Sequence, residues 1–203
     1  MANHRITVLP GDGTGREVTL EALNLLNVVE QHSPLSFSIT EIPCGGQYYL
    51  ETGEEWPSGS FEHCRDDSDA ILLGAIGWPG AVKPNGDLAG GQVILGLRSG
   101  LDLFANVRPI KLYNGIRHKI HGEFKQVWSA GQVDMVFFRE NTEGLYAGMG
   151  GTLAPGGREI VATDTRVITR AATERIVRLA FEAAKGRNGA PKDGKSRVTC
   201  IVK

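Results

Sequence analysis

The chain has 203 residues, 41% of them hydrophobic and 22% charged, enough apolar material for a folded core and too little polarity for a disordered chain. Its 22 Lys and Arg against 23 Asp and Glu leave a formal charge of -1, so no global field draws it to nucleic acid or membrane, and any anion recognition must be local. No stretch approaches the roughly eighteen consecutive apolar residues of a membrane span, and the N-terminus lacks a secretory apolar segment, which together predict a soluble, cytoplasmic protein. Cys44, Cys64 and Cys200 are lone cysteines without paired spacing, which argues for reduced packing residues rather than a disulfide framework or zinc cluster.

In chain order, "RITVLPGDGTGREVTLEALNLLNVVEQ" predicts a strand at about 5 to 9, a glycine loop, and an amphipathic helix with Val18, Ala22, Leu25, Leu26 and Val29 on one face. "LSFSITEI" alternates as a second strand, residues 57 to 66 suit a short helix, and "SDAILLGAIG" has the continuous apolar run of a strand covered on both faces. Residues 77 to 92, rich in Gly and Pro, predict a long loop, a kind of segment that often carries function. "LDLFANVRPIKLY" is expected to be extended around Pro109, and "VDMVFFREN" to be a further strand of buried character. "GMGGTLAPGGREIVATDTRVI" reads as a glycine-hinged turn and an extended arm. Thr169 is placed to cap a helix over about 170 to 185, with Ala172, Ile176, Leu179, Ala180 and Ala183 on one face and Gly186 just past its end. After the polar "GRNGAPKDGKS" comes "RVTCIVK", expected to be a strand, which stops at Lys203 with no connection beyond it; this ending suggests truncation. Strands alternating with helices give an α/β fold class.

Three arginines stand out. Arg98 and Arg108 lie ten positions apart in a mostly apolar stretch, and Arg139 stands with Tyr146 where a strand meets a polar loop, in "FFRENTEGLYAG". A guanidinium is always charged and matches a planar carboxylate with two parallel donors, so the three facing one pocket would clamp carboxylates. The bland alternative is a set of surface or ion-paired arginines, with Asp102, Glu140 and Glu143 as nearby partners. "GDGTG" follows a strand and opens a helix as a dinucleotide fingerprint would, but Arg16 takes the place of the third glycine, so a Rossmann site is disfavoured. A glycine turn that lets helix and sheet pack closely explains the motif equally well.

"LPGDGTGREV", "LLGAIGWP", "LRSGLDLFANVRP", "RENTEGLYAG", "TERIVRLAFEAA" and "TCIVK" occur in that order, and from residue 5 to 203 the chain resembles the first part of the metal-dependent β-decarboxylating dehydrogenases, the isopropylmalate, isocitrate, homoisocitrate and tartrate dehydrogenases. The resemblance implies an isopropylmalate-dehydrogenase-like fold in two domains of sheet and helix layers, one over 1–103 and an incomplete one over 104–203 that carries a dimerisation arm near 147 to 168. It implies oxidation and β-decarboxylation of a 2-hydroxy dicarboxylic acid with NAD as cofactor and Mg²⁺ or Mn²⁺, in a homodimer that binds neither nucleic acid nor membrane. Arg98, Arg108 and Arg139 would then hold carboxylates, Ile94 would touch the third substituent, Tyr146 would protonate the enolate, and Lys203, reaching a neighbouring subunit's site, would take the 2-hydroxyl proton. Thr14, Gly77 and Gly91 would lie beside the cofactor. The family's metal-ligating aspartates lie downstream of the lysine; Asp12, Asp66, Asp67, Asp69 and Asp134 match none of them, so no metal ligand is assigned and the 203 residues alone are expected to be inactive, and, with a sheet edge and an apolar face left uncovered, to be aggregation-prone or weakly oligomeric.

Substrate choice is tuned just before Arg98. Isocitrate enzymes carry a Ser and an Asn where this chain has Gln92 and Ile94, which disfavours isocitrate; isopropylmalate enzymes share an apolar residue at 94 but have a Glu where this chain has Gly91. "GWP" at 77 to 79 and "RENTEG" lean toward tartrate or malate, so alkyl-malate and tartrate/malate stay level. The alternative function is a non-catalytic subunit or degenerate paralogue acting as a scaffold, against which stands the desolvation cost of a cationic pocket that a scaffold does not need.

Overall fold

The computed structural model describes residues 2–201, which divide into two compact units, one running to Leu101 and the other starting at Asp102. Lys203 lies outside the described residues.

The first unit is built on a three-stranded parallel sheet in the order β2-β1-β3, formed by β1 (Ala2–Leu9), β2 (Leu35–Glu41) and β3 (Ala70–Leu73). The central strand is the most buried, with Thr7, Val8 and Leu9 at 1%, 0% and 0% exposure, as expected for a strand flanked on both edges. Helix α1 (Thr14–His32) connects β1 to β2, and α2 (Gly46–Thr52), α3 (Ser60–Asp66) and α4 (Gly91–Gly100) follow. Leu9, Cys44, Cys64, Val93 and Leu97 form the core, with Trp56, Phe61, Ile71 and Ile76 packed against it.

Several expectations need correction here. The face of α1 that turns inward is Gly15, Thr19, Ala22, Leu26 and Val29, while Val18 and Leu25 are 59% and 63% exposed; the predicted stripe straddles the edge of the buried face by about one position. β3 is an edge strand whose residues are only half-buried or exposed, so its apolar run does not signal cover on both faces. The loop expected through residue 92 ends at Gly90, because α4 starts at Gly91, and the segment around Arg98 is helical before the chain extends at Ala105. Six Gly residues between 74 and 91 masked that start. Helix α2 was not anticipated, its Gly45 and Gly46 reading as a turn.

Among the described residues, the second unit consists of three antiparallel ribbons and one α-helix. β4 (Ala105–Lys111) pairs with β7 (Asp134–Glu140), β5 (His118–Ile120) with β6 (Glu123–Lys125), and β8 (Gly144–Leu153) with β9 (Val161–Val167). The last is the arm, closed by a 3-10 turn at Pro155–Gly157. Helix α5 (Arg170–Lys185) begins and ends where the sequence placed it: the Thr169 hydroxyl accepts the Ala172 N–H and Gly186 ends the helix. Its inner face is Ala172, Ile176, Leu179, Ala180 and Ala183, and it packs on β7. The expected strand at "RVTCIVK" does not form over the described residues 197–201. A strand needs a neighbour to receive its backbone hydrogen bonds, and no described strand pairs with this segment. It runs instead along a groove of about 470 Å³ lined by Met135, Phe137, Ala180, Ala184, Val198 and Ile201. Among the described residues no helix is long and apolar enough to cross a membrane.

Candidate functional site

In the first unit the site is organised by a carboxylate. β1 delivers the chain into Gly11, Asp12 and Gly13, and the loop packs so closely on the end of β3 that a side chain at Gly11 would place Cβ 2.1 Å from the Ala75 carbonyl oxygen. Asp12, 3% exposed, accepts the Gly46 and Gly77 N–H groups on Oδ2 and the Gln47 N–H on Oδ1, each at 2.8 Å. Three donors compensate the desolvation of one buried carboxylate, and Asp12 thereby ties the β1 loop, the first turn of α2 and the segment after β3 into one knot. Arg16 turns back, its Nε donating to the Gly11 carbonyl at 3.2 Å, over the loop that a dinucleotide fingerprint would leave open.

Thr14, the first residue of α1, and Gly77 flank this knot, and Gly91 opens α4, whose cap Gly90 abuts Ile76 closely enough to exclude a side chain. The three positions expected beside a cofactor thus gather at the carboxyl end of β1 and β3, where parallel sheets present ligand-binding groups. At Gly77 and Gly91 the Cβ direction is open space.

Helix α4 turns Val93 and Leu97 into the core at 0% and 3% exposure, and leaves Ile94 and Arg98, one turn apart, half-buried on its flank. Its first turn is held from outside: Glu55, buried, accepts the Gln92 N–H on Oε2 at 2.8 Å and Lys83 Nζ on Oε1 at 2.9 Å. The hydrogen bond that Lys83 donates to Glu55 raises the Lys83 pKa above the ordinary value, against the smaller opposing effect of burial.

In the second unit the register of β4 and β7 sets Asn106 opposite Arg139, and Arg108 two residues on from Asn106, so Arg108 and Arg139 share one face of the ribbon. Arg108 Nε donates to Asn106 Oδ1 at 2.7 Å, and Arg139 Nη2 to Asn141 Oδ1 at 2.9 Å. Both guanidinia are thus held by neutral amides. The Arg139 guanidinium stands 5.5 Å from the centre of the Tyr146 ring, at the start of β8, and its Nε is buried without a hydrogen-bond partner. Tyr146 itself is 45% exposed.

The acids considered as structural partners for these arginines go elsewhere. Asp102 and Glu140 pair with Arg175 on α5, whose Nη1 donates to both Asp102 oxygens at 2.9 Å and whose Nη2 reaches Glu140 at 3.3 Å and Thr142 Oγ1 at 2.7 Å. Glu143 accepts the N–H and hydroxyl of Thr169. Burial works against ionisation of Glu140, but the donors from Glu143, Thr142 and Arg175 outweigh it and hold its pKa below the ordinary value. Asp12, Glu55 and Arg175 were not singled out as anchors. Asp12 had a visible signal, an acid between two loop glycines, whereas the partners of Glu55 and Arg175 are 28 to 73 residues away and leave no local trace.

The described residues contain no group of three or more His, Cys, Asp or Glu that could hold a metal ion. Asp66, Asp67, Asp69 and Asp134 pair with Arg65, His63, Arg5 and Arg187. Cys44 and Cys64 are buried and free, and Cys200 is exposed. Burial pushes the Cys44 thiol up to about 11.

The isocitrate/isopropylmalate dehydrogenase family model matches residues 5–203. The chain is 40% identical over 183 residues to a 3-isopropylmalate dehydrogenase of Corynebacterium glutamicum and 40% identical to one of Thermobifida fusca, covering 90% of this chain in each case. It spans about half the length of these curated relatives, 50% and 49%. Among solved structures it is similar to an isocitrate dehydrogenase of Methylococcus capsulatus, with a TM-score of 0.70 and 28% identity over 90% of this chain and 48% of that one. It is also similar to a β-decarboxylating dehydrogenase of Thermococcus kodakarensis, with a TM-score of 0.58 and 34% identity over 90% of this chain and 46% of that one. With its α/β fold and ordered motifs, the chain belongs to the isocitrate/isopropylmalate dehydrogenase family.

Proposed function

We propose that the whole protein oxidises and β-decarboxylates a 2-hydroxy dicarboxylic acid of the 3-isopropylmalate or tartrate/malate type, with NAD as oxidant and Mg²⁺ or Mn²⁺ as metal, as a cytoplasmic homodimer paired through the β8–β9 arm. The observation that carries this reading is the shared ribbon face of Arg108 and Arg139, with the Tyr146 phenol beside the second guanidinium. Two fixed cations held by neutral amides keep their charge available for an anionic substrate.

In this reading Arg98, Arg108 and Arg139 bind the substrate carboxylates and Ile94 touches the third substituent. The nicotinamide, when bound near Thr14, Gly77 and Gly91, supplies the acceptor for the hydride leaving C2. The 2-hydroxyl proton goes to a base, the role proposed for Lys203. The C3–carboxylate bond then breaks, its electron pair passes into an enolate as CO2 departs, and the Tyr146 hydroxyl delivers a proton to C3. The described residues by themselves offer no set of ligands that fits a metal ion.

The test is NADH formation by the whole protein with 3-isopropylmalate, tartrate or malate. Arg108→Lys should lower kcat/KM by about 1.5–3 kcal/mol through loss of the bidentate pair. Tyr146→Phe should slow the full reaction about 10²- to 10⁴-fold and affect reduction of a preformed 2-keto acid much less. Turnover of none of these acids by the unmodified protein, or unchanged kinetics for Arg108→Lys, refutes the reading.

A further inference from the structure

A net charge of -1 conceals an uneven distribution. Residues 1–101 hold five Lys and Arg against thirteen Asp and Glu, net -8, whereas residues 102–203 hold seventeen against ten, net +7. Part of that excess is concentrated in an excursion of the second unit that the proposed chemistry leaves unused. The chain leaves the β4–β7 ribbon through a neck in which the Leu112 N–H donates to the Val133 carbonyl at 3.0 Å and the Gly131 N–H to the Leu112 carbonyl at 3.3 Å. From Lys111 to Val133 it carries four cations, Lys111, Arg117, Lys119 and Lys125, against a single acid, Glu123.

Within this excursion β5 and β6 form a hairpin over the two-residue turn His121–Gly122, both at positive φ (50° and 84°), a turn whose twist suits paired strands. Side chains alternate along a strand, and cross-strand partners share a face. The register sets Lys119 opposite Phe124, and Arg117 brings its guanidinium 5.0 Å from the centre of the Phe124 ring. One face therefore presents a phenylalanine, 62% exposed, beside two cations. The hairpin's acid, Glu123, lies on the opposite face and pairs there with Lys125 at 2.8 Å. The arrangement recurs at the neck, where Lys111 Nζ stands 5.5 Å from the centre of the exposed Tyr113 ring.

Exposed rings interleaved with cations fit a strand of phosphates whose bases stack on the rings and on the guanidinium plane. A lipid surface suits this face poorly, because burying Phe124 would draw Arg117 and Lys119 out of water with it. An acidic protein segment would meet the cations and leave the rings unused. We infer that the β5–β6 hairpin is a binding site for single-stranded nucleic acid, with phosphates at Arg117 and Lys119 and a base on Phe124. It uses none of the residues assigned to the hydroxy acid, does not depend on the dehydrogenase reading, and runs against the expectation of a chain that takes no nucleic acid.

The experiment titrates the whole protein into fluorescein-labelled oligouridine and oligothymidine of about 12 nucleotides and follows anisotropy over a range of salt concentrations. Two phosphates on a single strand contribute about 1.4 to the slope of log affinity against log salt, so Arg117→Gln combined with Lys119→Gln should flatten the slope by that amount. Phe124→Leu removes the stack and no charge; it should weaken binding roughly fivefold or more at an unchanged slope, and Phe124→Tyr, which keeps a ring, should bind as the unmodified protein does. An unchanged unfolding midpoint shows that each variant keeps its fold. Binding of either oligonucleotide with these responses supports the site, and RNA bound ahead of DNA adds a contact to the 2′-hydroxyls. Binding of neither, an unchanged slope in the double variant, or an unchanged affinity in Phe124→Leu overturns the inference. Phosphatidylserine vesicles are the competing polyanion: binding to them that exceeds oligonucleotide binding and falls in the same variants assigns the hairpin to a lipid surface and overturns it as well.

Discussion

Replacing Asp12 by asparagine removes one charge and turns one acceptor into a donor at the centre of the first unit's loop knot. Two orientations of the amide are available. With its oxygen at the Oδ2 position, Asn keeps the Gly46 and Gly77 bonds and sets its NH₂ against the Gln47 N–H; with its oxygen at Oδ1 it keeps Gln47 and opposes the other two. The first orientation costs less, and it still sets two donors, the Gln47 N–H and the new amide NH₂, against each other where an acceptor stood, about 1–3 kcal/mol. The two surviving bonds change from charge-assisted to neutral, about 1 kcal/mol each. The sum is about 3–5 kcal/mol, an appreciable share of a domain's stability. Urea unfolding followed by tryptophan fluorescence in a Trp128→Phe background, where among the 203 residues only Trp56 and Trp78 remain, reports this unit, and hydrogen exchange at Gly46, Gln47 and Gly77 reports the knot directly. We expect a lower midpoint and the largest loss of protection at Gln47. A loss below about 1 kcal/mol with unchanged exchange at all three amides would refute the reasoning, because a buried carboxylate with three donors cannot then be what holds these loops.

Two other outcomes follow from titration and exposure. Glu140 has its pKa lowered from 4.5 in the folded chain, so its stabilising contribution is fully present above that value and is lost as pH falls through the lower folded one; Glu140→Gln should flatten the acid limb of an unfolding profile below about pH 4.5, and an unchanged limb would show that Glu140 contributes nothing to it. Iodoacetamide at pH 8 should label exposed Cys200 first and leave Cys44, buried and with a thiol pKa of about 11, unlabelled until urea is added; mass spectrometry showing early Cys44 adduct would contradict its burial.

Local signals in the sequence were read with different success for physical reasons. Helix α5 was legible to the residue because its cap, its 3.6-residue apolar period and its terminating Gly186 are all encoded within the helix itself. β1, β2 and β7 were likewise legible from alternation or apolar runs, and the six ordered motifs carried the family. What failed depended on neighbours. The inward face of α1 shifted because the sheet, and not the helix, decides which flank is covered; residues 197–201 are not a strand because pairing is a property of two segments; and α4 was hidden because glycines weaken a helix signal that its contacts with Leu9, Cys44 and Cys64 overcome.

The sequence by itself determined the α/β class and the resemblance to the family, and it offered Arg98, Arg108, Arg139 and Tyr146 as candidates for carboxylate binding and proton donation before any fold was known. Only the tertiary structure decided that Arg108 and Arg139 stand on one ribbon face, because strand register fixes which residues are neighbours across β4 and β7 and no local pattern encodes it. It alone decided that Asp102 and Glu140 serve Arg175 rather than the candidate arginines, and that Asp12 and Glu55 are buried anchors rather than solvated charges. A carboxylate is costly to bury and cheap to expose, so its role is set by whether the fold brings donors to it from distant segments, and that information exists only in three dimensions.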